Sequence, residues 1–330
     1  MIDRRVSIAP MMGCTDRHER FFLRRLTHHA LLYTEMIAPG AILFGNRRRF
    51  LGFDPCEHPV ALQLGDHDPG RLATCAALAE EWGFDEVNLN VGCPSERGTD
   101  RRFGACLMGE PETVAACVTA MQAATSLPVT VKTRVGIDRQ DSYELFRAFI
   151  DVVAEAGCRT FIVHARKAWL EGLSPKDNRE VPPLRYEYVY RLKQELPELT
   201  VVINGGIRDW KSARGHLDYV DGVMIGREAY ENPYFLATLD RDFYGDDHPI
   251  LTREEALESF LPYIERNLAE GVPLFKMARH LIGLYRNEPR ARAWRRHLTE
   301  GSVPRDAGLE VLHQGLKIAS GRFLSKSTRE

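Results

Sequence analysis

Eight times along the chain a short run rich in β-branched and apolar residues is followed by roughly 15 to 30 residues of helical or loop character. The runs are Ser7–Met11, Leu31–Ala38, Pro59–Gly65, Glu86–Cys93, Pro128–Val135, Thr160–Ala165, Leu199–Gly206 and Gly222–Arg227. Between them the patterning predicts helices at about 16–29, 69–83, 111–126, 141–157, 184–197, 209–219 and 229–239, several opening on Asp or Pro, as helix N-termini favour. The spacing averages about 31 residues per unit, close to one strand plus one helix. Eight such units close a barrel, so the expected fold class is α/β, a (β/α)8 TIM barrel. An open doubly wound sheet is the alternative. It usually has fewer strands and a Gly-rich first turn, and Met11-Met12-Gly13-Cys14-Thr15-Asp16 lacks GxGxxG.

The polar residues favour the barrel further. Each run ends on its carboxyl side in a residue with chemistry: Met11, Glu35, Gln63, Asn90 with Cys93, Lys132 with Arg134, His164, Asn204 and Arg227. In a barrel those ends converge on the face where active sites lie. From about residue 240 the rhythm stops and helical patterning takes over at Arg253–Glu270, Leu274–Asn287, Arg290–Thr299 and Leu309–Phe323. Residues 1–239 are therefore expected to form a catalytic barrel and 240–330 a smaller all-helical domain.

With 330 residues, 44% of them hydrophobic, the chain can bury a large core. Its 44 basic and 46 acidic residues leave a formal charge of -2, so any nucleic-acid contact must come from a local patch. The first ten residues hold no apolar signal region, and no stretch approaches the roughly 18 apolar residues of a membrane span, so a cytoplasmic protein is expected. Cys14, Cys56, Cys75, Cys93, Cys106, Cys117 and Cys158 form no CxxC pair and are odd in number. That argues against a zinc cage or a disulfide framework, and no metal is expected.

Asn204-Gly205-Gly206-Ile207 after the seventh run and Ile225-Gly226-Arg227 after the eighth fit a phosphate site. There glycines let backbone N–H groups approach oxygens and Arg227 adds a charge. Either alone is equally well a tight turn. Lys132 is a cation in an otherwise apolar run, where burial is costly unless an anion or electron-rich ring is near. Schiff-base nucleophile, ion-pair member and cation beside a flavin rank equally for it. Gln63 and His164 add neutral hydrogen-bonding groups, although a lone histidine is more often a satisfied core residue than a ligand. Cysteines usually pack in cores, and that reading suits Cys75, Cys117 and Cys158. Cys93 instead stands at the barrel mouth, where a thiol of ordinary pKa ~8.5 is mostly protonated at neutral pH and can act as a general acid.

The segments Ala9-Pro10-Met11, Asn88-Leu89-Asn90-Val91-Gly92-Cys93-Pro94, Val131-Lys132-Thr133-Arg134, His164-Ala165-Arg166, Asn204-Gly205-Gly206 and Gly226-Arg227 together resemble the tRNA-dihydrouridine synthases. Stretches from Ala168 to Pro175, from Asn178 to Leu184, and from Ala278 to Arg296 are similar to the A-type subfamily, which reduces uridines 20 and 20a of the D-loop. The match is loosest in the loop Glu96–Arg102.

The resemblance implies FMN across the barrel mouth, with Pro10, Met11 and Met12 against its ring, Gln63 and Lys132 at its polar edge and His164 nearby. Asn204, Gly205, Gly206, Gly226 and Arg227 would hold its phosphate. NADPH would reduce the flavin, hydride would pass to C6 of the uracil, and Cys93 would protonate C5. A uracil inside folded tRNA must be extruded to reach such a site, at a cost of a few kcal/mol. Asn90, Arg134 and Arg179 are then the candidates for gripping it; their bland reading is a hydrogen-bonded barrel rim. Lys276 to Arg296 contains seven basic residues against one acid, Glu288, and also carries Tyr285 and Trp294. Such runs are usually solvated faces, but this one fits tRNA phosphate contacts, with Arg295 and Arg296 foremost. A monomer is expected. Two other readings stay open: a dihydroorotate dehydrogenase-like FMN barrel, which would not need the basic tail, and a non-catalytic RNA-binding barrel.

Overall fold

A computed structural model describes residues 2–94 and 103–321. Its eight strands are β1 (Val6–Ile8), β2 (Leu31–Ile37), β3 (Val60–Leu64), β4 (Glu86–Val91), β5 (Val129–Arg134), β6 (Thr160–His164), β7 (Thr200–Asn204) and β8 (Gly222–Ile225). All neighbours pair in parallel and β1 pairs with β8, so the sheet closes as the expected (β/α)8 barrel. Strands covered on both faces lose the apolar–polar alternation of half-exposed sheets. Accordingly β3, β4 and β8 are buried at every position. Leu31 and Tyr33 of β2, Ala61, Ile162, Val202 and Met224 form one apolar cluster from five strands.

Helix starts follow local chemistry. Asp68 accepts the Arg71 N–H and precedes Pro69 at the head of Pro69–Glu81; Ser142 caps Tyr143–Glu155 and Asp209 caps Trp210–Leu217 in the same way. Several strands end one to three residues before the expected limits, because Gly92, Cys93, Gly205 and Gly206 leave the ladder for turns. Met11 likewise stands in the loop after β1. Two short helices between β2 and β3, Pro39–Phe44 and Arg47–Leu51, carry no long periodic pattern in the sequence and each ends at a glycine. The expected loop 96–102 lies outside the described residues.

The chain divides into two compact units: residues up to Arg17 with His29–Gly226, and His18–His28 with the chain from Arg227 onward. The sequence reading draws its boundary after residue 239. In the structure Arg286 pairs with Glu228 and Glu231, Phe21 stacks on Tyr263 at 3.9 Å, and Asp240 accepts from Thr27 Oγ1. Those contacts gather 18–28 and 227–239 into the helical unit. Its long helices are Arg253–Ala269, Ala291–Gly301 and Leu309–Ser320. Among the described residues no helix is long and apolar enough to cross a membrane.

Candidate active site

The strand register decides which side chains meet at the carboxyl end of the barrel. Asn90 stands opposite Lys132, Arg134 opposite His164, and His164 opposite Asn204. These five expected residues thereby fall into two register rows on consecutive strands, Asn90 with Lys132 and, two residues further along β5, Arg134 with His164 and Asn204.

Cys93 follows β4 in a turn held from both sides. Asn90 Oδ1 accepts the Gly92 and Cys93 N–H groups at 3.0 and 2.9 Å, while the Cys93 carbonyl accepts from Ala105 N–H at 2.9 Å. The second clamp requires glycine before Ala105: a Cβ on Gly104 would sit 2.4 Å from the Cys93 oxygen, and φ there is +78°. Cys93 is partly exposed, whereas Cys75, Cys117 and Cys158 are buried, and burial pushes each of those three thiols up to about 12.

Beneath Asn90 runs a buried ladder of amides and hydroxyls. Asn90 Nδ2 donates to Gln63 Oε1, Gln63 Nε2 to Asn88 Oδ1, Asn88 Nδ2 to Thr130 Oγ1, and Thr130 Oγ1 to Glu86 Oε1. Tyr33 donates to the same Glu86 oxygen and Arg4 pairs with the other. Gln63 is fully buried in this ladder. Its amide thus fixes both Asn90 and Asn88.

Two cations, Lys132 and Arg134, lie within electrostatic reach of the thiol. Lys132 donates to Asn204 Oδ1 at 3.3 Å, and Asn204 Nδ2 donates to the Met224 carbonyl. Burial, and then the Arg134 guanidinium, pull the Lys132 amine down to about 7. Burial also lowers Arg134 to about 10; Arg179 and Arg166 push the same way, while Cys93 opposes. His164 is held well below its usual value by burial and by Arg134 and Lys132. Its Nδ1 is buried without a hydrogen-bond partner among the described residues.

Arg134 orders two loops. Its Nε donates to the Gly92 carbonyl and its Nη1 to the carbonyls of Lys167 and Asn178. Asn178, which sequence reasoning did not single out, is fully buried and staples its own loop through Trp169 N–H and the carbonyls of Trp169 and Leu173. A lone loop Asn carries no pattern that would announce this. The staple leaves its neighbour Arg179 exposed, within electrostatic reach of Arg134 and His164.

After β7, Gly205 (φ +116°) and Gly206 (φ +75°) pack against Leu184, and a Cβ on Gly206 would meet Leu184 and the Tyr186 hydroxyl at 2.8 Å. Gly226 follows β8 beside Ala9 and Met11. Arg227 opens the next short helix and is the first residue of the helical unit. Pro10 and Met11 are partly buried and Met12 is half exposed. A partly buried lysine with a neutral partner, an orphaned imidazole nitrogen and two glycines in left-handed turns make a cradle for an anionic group with a polar ring.

The basic tail holds core, ion-paired and exposed residues side by side. Trp294 is fully buried and donates to the Leu281 carbonyl, with Tyr285 packed against it at 4.8 Å, so the indole belongs to the core and is not a stacking platform. The spacing of Trp294 to Leu298, both buried, is the helical i,i+4 signal for that role. Arg295 and Arg296 are exposed. Arg286 is taken up by Glu228 and Glu231.

Residues 7–319 match the family model described as dihydrouridine synthase. The chain is 55% identical over 312 residues to the tRNA-dihydrouridine(20/20a) synthase of Synechocystis, covering 94% of this chain and 93% of that protein. It is 55% identical to the protein of that name from Vibrio cholerae, covering 94% and 95%. With the Pseudomonas aeruginosa protein of that name the identity is 54%, covering 97% of each.

Proposed function

Because the chain belongs to the dihydrouridine synthase family, we propose that it reduces uridine to 5,6-dihydrouridine at positions 20 and 20a of the tRNA D-loop, in the cytoplasm. FMN is the cofactor and NADPH the reductant in this reading. Pro10, Met11 and Met12 would line the flavin ring, with Gln63, Lys132 and His164 at its polar side. Asn204, Gly205, Gly206, Gly226 and Arg227 would hold its phosphate. Held by those residues, the flavin would supply hydride chemistry for C6 of the uracil.

The residues of the chain do the rest. Cys93 donates the proton to C5, and its turn is fixed by Asn90 and Ala105 so that the thiol keeps one position while the base enters. Among the described residues Asn90 keeps one amide N–H and Arg134 its Nη2 beyond their bonds to the protein, and these donors would serve the nucleotide. Arg179 supplies a further charge from the stapled loop. Lys132 gains most from an anionic ring, since burial has already weakened its hold on a proton.

The observation that carries this reading is the partly exposed thiol of Cys93, clamped on both sides and within electrostatic reach of Lys132 and Arg134. The test is reduction of D-loop uridines by the purified protein with NADPH, mapped nucleotide by nucleotide. Cys93→Ala is expected to bind FMN and accept electrons at the wild-type rate while forming dihydrouridine 10²- to 10⁴-fold more slowly, as loss of a general acid costs roughly that much. Full activity in that variant overturns the role of the thiol; a colourless protein that takes up no FMN overturns the reading.

A further inference from the structure

Between β2 and β3 the chain leaves the carboxyl end of the barrel as the short helices Pro39–Phe44 and Arg47–Leu51. Ile42 and Leu51 are fully buried and anchor this arm. Phe44, by contrast, is 86% exposed, more than any other large apolar side chain among the described residues. The next five residues, Gly45, Asn46, Arg47, Arg48 and Arg49, are all exposed. Successive helical residues point about 100° apart, so three exposed arginines in a row mean that more than half of that helix's girth faces water. Asn46 caps it, accepting the Arg49 N–H. Among the described residues no carboxylate pairs with any of the three guanidinium groups, and Arg49 lies over the ring of Phe50 at 5.4 Å.

Neither the arginine run nor the exposed Phe44 ring helps the fold. Three adjacent like charges repel, and an exposed phenyl ring gains nothing from burial. The arm also pairs cations with an available aromatic ring: Phe44 is 86% exposed, about twice the 42% of Phe275 beside Lys276, while Trp294 is buried. We propose that Phe44, Arg47, Arg48 and Arg49 form a tRNA-contact site on the barrel unit, the arginines lying on phosphates and the phenyl ring on an unstacked base. The proposal rests on the reading of the chain as a tRNA reductase. Charge complementarity with a polyanion argues for RNA, as does the arm's place on the side of the barrel where Cys93 follows β4 and where the nucleotide must enter. A membrane surface fits poorly: membrane-seated helices present a continuous apolar face, and here one exposed ring stands alone beside two inward-facing anchors.

The test is the affinity of unmodified tRNA for the full chain across salt concentrations, with dihydrouridine formation by the wild type measured alongside. The triple variant Arg47→Ala, Arg48→Ala, Arg49→Ala is expected to lower the slope of log affinity against log salt by about two to three, since each phosphate contact contributes about 0.7 to 0.9. The same three positions as lysine should keep the wild-type slope, and thermal unfolding of both should match the wild type. Phe44→Ala should weaken binding about 5- to 100-fold with the slope unchanged, as loss of one base stack does. An active wild type whose salt slope survives the triple alanine change overturns the proposal, and so does a triple variant that alters only self-association. A wild type that forms no dihydrouridine fails the functional reading instead.

Discussion

Asn90 and Cys93 are joined through the backbone: the amide oxygen of the first accepts the N–H of the second at 2.9 Å. That oxygen also holds the Gly92 N–H, and the amide nitrogen below it donates to Gln63. The strand residue expected to grip the nucleotide is therefore also the one that sets the thiol. The ladder from Gln63 through Asn88 and Thr130 ties that setting to Glu86, Arg4 and Tyr33. An amide inside such a chain has one orientation that satisfies its neighbours, so the Cys93 turn inherits the rigidity of the barrel interior.

Asn90→Ala separates positioning from electron transfer. It leaves two N–H groups of the turn and the Gln63 carbonyl without their partner, at about 1–3 kcal/mol for each group that stays buried. Flavin reduction by NADPH is expected to keep its rate, while dihydrouridine formation falls at least tenfold and the thermal midpoint drops. Parallel measurement of the two half-reactions checks this; equal loss in both would mean that Asn90 serves the flavin and not the thiol.

Lys132 predicts a pH dependence. Burial and Arg134 set its amine at about 7 against the usual 10.5. Between those values the unfolded chain holds a proton that the folded chain does not, so the flavin-free protein gains stability as pH rises through that window. Below about 7 the penalty of the buried charge is present in full. Lys132→Met should flatten the rise and raise the flavin-free midpoint at pH 6, because an apolar side chain in place of a buried ion is often stabilising by about 1–4 kcal/mol. The same change should abolish or greatly weaken FMN uptake. Thermal unfolding from pH 6 to 9 decides, and a methionine variant no more stable than wild type at pH 6 contradicts the argument.

Among the described residues Arg286 of the basic tail has acidic partners, and Arg295 and Arg296 have none. Arg286 lies 3.1 Å from Glu231 and 3.6 Å from Glu228, whereas Arg295 and Arg296 are exposed on the Ala291–Gly301 helix. Arg295→Ala with Arg296→Ala is expected to lower the salt slope of tRNA affinity by one to two, at about 0.7 to 0.9 per phosphate contact. Arg286→Ala should leave that slope alone and cost stability instead. Binding isotherms at four salt concentrations would separate them, and identical slopes for all three proteins would remove the tail from the interface.

The barrel was legible because its periodicity is local: each buried strand is a short apolar run and each polar end residue sits where the run stops. Lys132, His164 and Asn204 could be singled out on that basis; the register sets His164 beside Asn204, and the Lys132 side chain reaches Asn204 Oδ1. Partnerships across the barrel left no such trace. Nothing near Asn178 in sequence announces that it carries Arg134, and nothing near Gln63 announces Asn90 and Asn88 on either side of it. Trp294 and Phe44 show the same limit for aromatic residues. One lies in a basic run and is core, the other lies beside an arginine run and is exposed, and only packing tells them apart.

Gly104 offers the sharpest separation of backbone strain from active-site geometry, because the chain supplies its own control. Gly104 and Gly83 both have left-handed φ, +78° and +86°, so replacing either with alanine incurs a similar backbone penalty of about 1–2 kcal/mol. The space around them differs: a Cβ at Gly83 meets nothing within 4 Å, while one at Gly104 meets the Cys93 carbonyl at 2.4 Å. That carbonyl is the one Ala105 N–H holds, so Gly104→Ala must displace the turn bearing the thiol. Gly83→Ala is expected to lower the thermal midpoint by a few degrees with full turnover. Gly104→Ala should lower it further and cut dihydrouridine formation at least tenfold, with FMN content and the rate of flavin reduction kept. If both variants turn over normally once their stability loss is allowed for, the second clamp on Cys93 has no part in the reaction.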